Sequence, residues 1–293
     1  MCVWLPFPLA AQELDPRRWA HLPINTNFFG AGYAYTQADI SFNPTLLIED
    51  AELTMHTSAA AFIRTFRLFD KTGRMEISQG RRDARWSGKL DGVATSVSRH
   101  GLADTRLRLA FNLIGAPALA GKDYAAYRAA TDVETIVGVA LGAQLPTGNY
   151  RKDKLLNIGS NRFTFRPQIG VVHSRGKWTF EATGTAEIYT DNGSFFNGNT
   201  LEQDPFYTFQ AHAIHTFSPG LWAAASLGYG VGGQSAVNGV SKNDHKEFFA
   251  WALSAGYPVK KWLSLKAAYL GIRRQRDVGS NSDTFSIGFS TFW

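Results

Sequence analysis

At 293 residues with a formal net charge of +6, the chain has the length of two soluble domains or of one large closed sheet, and its Lys and Arg are too scattered for a nucleic-acid surface. No apolar run reaches the roughly eighteen residues that a membrane-crossing helix needs. The lone cysteine, Cys2, excludes a disulfide, a zinc site of paired cysteines and a thiol-redox pair, while 28 glycines, 13% aromatic and only 18% charged residues suit short strands with aromatic belts better than a helical enzyme.

The chain opens on Met1-Cys2-Val3-Trp4-Leu5-Pro6-Phe7-Pro8-Leu9-Ala10-Ala11-Gln12, an apolar stretch followed by small residues. It reads as a signal peptide over 1–11, cleaved near Ala10 or Ala11. Residues 12–24 are expected as a periplasmic N-terminal tail, with a lumen plug as the alternative, and 25–293 as one domain. Period-two alternation places strands at Asn25–Ala38 and Leu53–Phe69, the second ending in the tight turn Asp70-Lys71-Thr72-Gly73. Met75 to about Ala84 is a weak third strand, followed by a loop carrying Gly88, Gly92 and Gly101. Asp104–Ile114 is a strand, and 115–132 has room for a short helix at Tyr124–Ala130. Thr135–Leu145, Arg162–His173, Trp178–Thr190, Phe206–Phe217, Leu221–Gly232, Glu247–Tyr257 and Trp262–Arg274 alternate likewise.

The last strand is the clearest. Phe285, Ile287, Phe289 and Trp293 share one parity, and Ser286, Gly288 and Ser290 the other. One face is greasy, the other small and polar, as in the closing strand of an outer-membrane barrel whose end sits in an interfacial aromatic girdle. The whole makes about twelve strands, with short turns near 70, 175, 219 and 259 on the terminal side and longer loops on the opposite side. Only the 115–132 connection is long on the short-turn side. The fold expected is therefore all-β: a transmembrane, antiparallel, up-and-down β-barrel.

If the greasy parity faces lipid, the other faces the lumen. Arg106, Arg108, Arg162, Arg166, Glu181, Glu187, Gln210 and Lys266 are then lumen candidates, and charges of both signs must satisfy one another in a narrow barrel. Phe206, Ile214, Trp222, Phe248, Leu270 and Ile272 share the inward parity, which either fills a small barrel or lines a path for apolar solutes. Pro167 cannot donate to a ladder, so inside a strand it predicts a gap, a candidate lateral exit. Enzymatic signatures are poor: no Gly-x-Ser-x-Gly, His-Glu-x-x-His or phosphate loop occurs, and the seven histidines are dispersed. Neither catalytic residues, nor a metal, nor a cofactor is expected.

Phe29-Gly30-Ala31-Gly32-Tyr33-Ala34-Tyr35, Gly101-Leu102-Ala103-Asp104, Leu113-Ile114-Gly115 and, above all, Leu145-Pro146-Thr147-Gly148-Asn149-Tyr150 with Asn157-Ile158-Gly159-Ser160-Asn161-Arg162 carry a resemblance. Over about residues 20–293 the chain resembles the outer-membrane transporters of the MetA-pathway of phenol degradation family. The resemblance implies a twelve-stranded barrel with a narrow, largely apolar pore for aromatic or other hydrophobic compounds, with lateral release through the wall. It supplies no catalytic residue. Gln79, Arg81, Arg82, Asp83 and Arg85 make the third strand more charged than that pattern implies. The expected protein is a monomeric outer-membrane channel for small hydrophobic or aromatic solutes, in contact with outer-membrane lipids. A plugged barrel that binds a partner through its loops is the alternative, and an outer-membrane lipid hydrolase a more distant one.

Overall fold

A strand sorts its side chains to two faces, so residues that alternate between bulky apolar and small or polar favour a sheet with two unlike surfaces. The computed structural model describes residues 14–41 and 48–293. The signal-peptide reading of 1–11 lies outside the described residues. The main sheet contains β1 (Asn27–Ser41), β2 (Ile48–Leu68), β3 (Lys71–Leu90), β4 (Val93–Leu102), β5 (Arg106–Ile114), β6 (Val133–Gln144), β7 (Thr164–Arg175) and β8 (Trp178–Tyr189). After the short β9 (Asn192–Phe195) and β10 (Asn199–Gln203) it continues with β11 (Phe206–Ser218) and β12 (Leu221–Gly232). Beyond β13 (Ser235–Val237) and β14 (Val240–Ser241) it ends with β15 (Lys246–Lys260), β16 (Leu263–Arg274) and β17 (Gly279–Phe292).

Each main strand pairs antiparallel with its neighbours, and β1 pairs with both β2 and β17, so the sheet closes. β4 and β5 share one place in the wall, interrupted at 103–105, which makes a closed barrel of 12 strands. The β1–β17 seam runs without a break from Phe28↔Phe292 to Ser41↔Gly279. Asn27 and Trp293 finish it by exchanging two backbone hydrogen bonds of 3.0 and 3.1 Å. Along β17 the sorting is plain: Phe285 and Ile287 are 59% and 57% exposed on the outside, whereas Ser290 is buried inside.

The weak third strand and the loop after it need correction. β3 runs on to Leu90 and turns at Asp91-Gly92, both with positive φ (52° and 73°), into β4. Those dihedrals match the two-residue hairpin turn that Asp-Gly favours. Of the three glycines only Gly92 marks the turn. Gly88 lies against the β2 backbone beside the register shift at Glu49–Glu52, and Gly101 makes room for Asn149. β3 pairs with β5 over Gly73–Ser78 and with β4 over Arg81–Leu90, so its charged run belongs to the β4 hairpin. The long connections after β8 and β12 also contain strands, for β9, β10, β13 and β14 form a separate four-stranded sheet.

Residues 12–24 were expected as a periplasmic tail or, alternatively, a lumen plug; their described part, Leu14–Ile24, packs inside the wall. Trp19 is fully buried against Ala110, Ile136, Ala140 and Val172. Its indole fills a slot made by two paired glycines, Gly138 and Gly170; a Cβ on Gly170 would come within 2.0 Å of the ring nitrogen. That nitrogen donates to Thr183 Oγ1 at 2.9 Å, and the Arg17 N–H donates to Glu181 Oε2 at 2.7 Å. Lys266 pairs with Asp15, and Arg74 donates to the Arg18 carbonyl. Leaving such groups unpaired in a narrow lumen would be costly, so the segment is bound by polar contacts as well as by Trp19.

On the short-turn side the 115–132 connection holds α1 (Gly121–Ala130). Tyr124 donates to the His21 carbonyl at 2.8 Å, and burial pushes its hydroxyl well above the ordinary range, so it stays a donor. Glu134 accepts from Tyr127 (2.9 Å), Arg128 (2.6 Å) and the Ala116 N–H (3.2 Å), with His21 at 3.5 Å. Helix, connection and inner segment therefore converge on one carboxylate.

Candidate functional site

The lumen above Trp19 holds a cavity of about 430 Å³. Its floor is Leu14 and Arg18 of the inner segment. Its roof comes from the β6–β7 loop, which folds in through Asn157, Ile158, Gly159 and Ser160. Asp104, in the gap between β4 and β5, holds that loop. Its carboxylate accepts from the N–H groups of Gly148 (2.9 Å) and Ser160 (2.8 Å), the Ser160 hydroxyl (2.6 Å) and the Gln144 amide (2.9 Å). Asn149 adds a two-way bridge to Leu102 at 2.6 and 2.8 Å, and Gly159 donates to the Asn149 carbonyl at 2.9 Å. Gly148 and Gly159 are glycine because a Cβ would strike Asp104 Oδ1 at 2.7 Å and the Gly148 carbonyl carbon at 2.8 Å. The Pro-Thr-Gly-x-Tyr and Asn-x-Gly-x-Asn segments thus form one latch, closed onto Asp104.

The cavity wall is divided by chemistry. Seven cationic side chains line it, Arg18, Arg82, Arg106, Arg108, Arg162, Arg166 and Lys246, against three carboxylates, Glu76, Asp104 and Glu187. Most of the cations belong to β3, β5 and the start of β7. Arg166 lies 3.0 Å from Glu187, and Arg108 donates to Gln168 at 2.9 Å with its guanidinium 4.9 Å above the Trp19 ring. The opposite part, on β11, β12, β15 and β16, holds an apolar patch beside Thr208, Gln210 and Lys246. Phe206 and Phe248 stack at 5.6 Å, joined by Ala250 and Ile272 and flanked by Leu14, Leu270 and Tyr189. Tyr189 joins the two halves: it packs on the apolar cluster, donates to Glu187 at 2.8 Å and carries the Arg162 guanidinium 4.4 Å over its ring.

Of the residues singled out by parity, Arg106, Arg108, Arg162, Arg166, Glu187, Phe206, Gln210, Phe248 and Leu270 surround this cavity. The others do not reach it. Glu181 is bound to the inner segment, Lys266 to Asp15, and Ile272 backs the Phe206–Phe248 cluster. Ile214 and Trp222 form a separate buried group with Ala224, and the Arg17 guanidinium lies 5.5 Å over Trp222. Pro167 is exposed on the outer face and pairs with Leu141 of β6. Toward β8 the pairing passes from Phe165↔Ile188 to Gln168↔Thr185, skipping Arg166 and Pro167. Parity reasoning missed Leu14, Arg18, Arg82, Asp104, Tyr189, Gln203 and Lys246. Most of these sit in loops, at strand ends or in the inner segment, where alternation gives no direction.

Residues 47–291 match the family model described as "Putative MetA-pathway of phenol degradation". Among solved structures, the chain is similar to the COG4313 outer membrane channel from Pseudomonas putida F1, with a TM-score of 0.79 and 22% identity over 96% of this chain and 100% of that one. It is similar, more distantly, to the transport unit of the autotransporter AIDA-I from Escherichia coli, with a TM-score of 0.53 and 7% identity over 90% of this chain and 89% of that one. The β domain of the Bordetella autotransporter BrkA gives a TM-score of 0.50 and 12% identity over 92% of this chain and 100% of that one. A search of curated protein sequences gives no match.

Proposed function

The chain belongs to the MetA-pathway of phenol degradation family, and from that premise we propose that it carries small hydrophobic or aromatic compounds passively across the membrane, with lateral release through the wall. It is an outer-membrane barrel: its outer face is apolar, its sheet has no open seam, and a closed barrel is the one form in which strands cross lipid. The observation that carries the uptake reading is the Phe206–Phe248 stack with Leu270, an apolar patch on the wall of an otherwise polar cavity. Such a patch lowers the cost of dehydrating an aromatic solute as it passes. Release through the wall rests on the skipped pairing at Pro167. The reading is non-enzymatic, in keeping with the family and with the similar outer membrane channel.

The second reading, a plugged barrel that binds partners, is favoured by the seating of Trp19. Vesicles with a lipopolysaccharide outer leaflet separate the two, because that leaflet slows neutral aromatics. Channel function predicts 2-phenylethanol uptake several-fold faster with the protein than without it. Equal rates would favour the plugged barrel.

A further inference from the structure

The cavity has two chemically distinct halves that meet at Tyr189, and a purely apolar solute would use only one of them. We propose that it is a binding site for small arylcarboxylates, the ring lying on Phe206, Phe248 and Leu270 and the carboxylate facing Arg162 and Arg82. This deepens the uptake reading given above and rests on it.

Three observations lead there. The first is the charge imbalance among the lining residues, seven cations against three carboxylates. The lumen therefore keeps a positive field, which draws an anion in. The second is donor capacity. Arg162 spends one arm on Gln203, while its Nη1 is buried without a protein acceptor, as is Nε of Arg82. Buried guanidinium donors without partners are expensive, and a carboxylate is the acceptor whose shape and charge suit them. The third is adjacency. Tyr189 packs on the Phe206–Phe248 cluster and carries the Arg162 guanidinium 4.4 Å over its ring, so a single side chain separates the apolar patch from that cation.

The test is calorimetric titration of the whole chain in nanodiscs with phenylacetate, 2-phenylethanol, phenethylamine and acetate. Phenylacetate should bind at least about tenfold tighter than either the neutral alcohol or acetate, with no binding of the amine. Arg162→Gln and Arg82→Gln should each weaken phenylacetate about tenfold and leave 2-phenylethanol unchanged, and Arg162→Lys should recover part of the loss. Should a variant fail to fold, wild-type affinity still decides: phenylacetate must weaken with added KCl while 2-phenylethanol does not. Phenylacetate binding no tighter than 2-phenylethanol overturns the anion site but leaves the uptake reading standing if the alcohol enters vesicles. Acetate binding as tightly as phenylacetate overturns the role of the apolar half. Binding of neither aromatic overturns the site, and the vesicle assay then judges uptake on its own.

Discussion

Asp104 shows how much of this molecule hangs on single side chains. One carboxylate gathers four donors from Gln144, Gly148 and Ser160, 40 to 56 residues further along the chain, and so holds the β6–β7 loop across the lumen. Asparagine keeps the shape but replaces one oxygen with a donor and removes the charge. Hydrogen bonds to charged groups are worth about 1.5–3 kcal/mol each, so Asp104→Asn should lower the thermal midpoint and release the loop. Trypsin would report the release as faster cleavage at Arg151, Lys152 and Lys154, and an unchanged cleavage rate would remove Asp104 from that role. The loop motif was legible in the sequence, but its anchor was not. Nothing local to Gly101-Leu102-Ala103-Asp104 says that its carboxylate is the partner of Gly148 and Ser160. The same holds for Gly138 and Gly170, whose parity is readable but whose purpose appears only when Trp19 lies between them.

At the scale of elements, strand pairing was largely readable because two faces demanded two residue classes. β11, β12 and β17 begin and end close to where alternation places them. The failure lay at 85–103, where three glycines outweighed an Asp-Gly pair flanked by apolar residues, and a hairpin was taken for a loop. β7 offers the element-scale prediction. Pro167 has no N–H to give, and the β7–β8 ladder skips the pair of positions at Arg166 and Pro167. Pro167→Val restores one donor and should close that stretch of ladder, slowing uptake of 2-phenylethanol into vesicles several-fold. Hydrogen exchange at Ala186 and Glu187 would show whether the ladder closed. A closed ladder with undiminished uptake would rule out this part of the wall as the exit.

At the scale of the whole molecule, the barrel and its inner segment are separable structures. The wall is held by a continuous ring of ladders, whereas Leu14–Ile24 is held by Trp19, a few ion pairs and the Glu134 cluster. Trp19→Ala removes a side chain whose truncation typically costs about 3–5 kcal/mol. It should loosen the segment far more than the wall, so single-channel conductance should rise while the barrel's thermal midpoint moves little. Unaltered conductance would mean that the ion pairs alone hold the segment in place. Alternation could not reveal this, since residues 12–24 carry no period. The β1–β17 seam has a separate consequence, for the order of assembly. It joins the first and last strands of the wall, so its closure brings together the most distant parts of the chain. Until those strands meet, every partial sheet presents two raw edges able to pair with a neighbouring molecule. Assembly is thus most exposed to misassociation in its final step, and a helper that shields one free edge until the other arrives would act there.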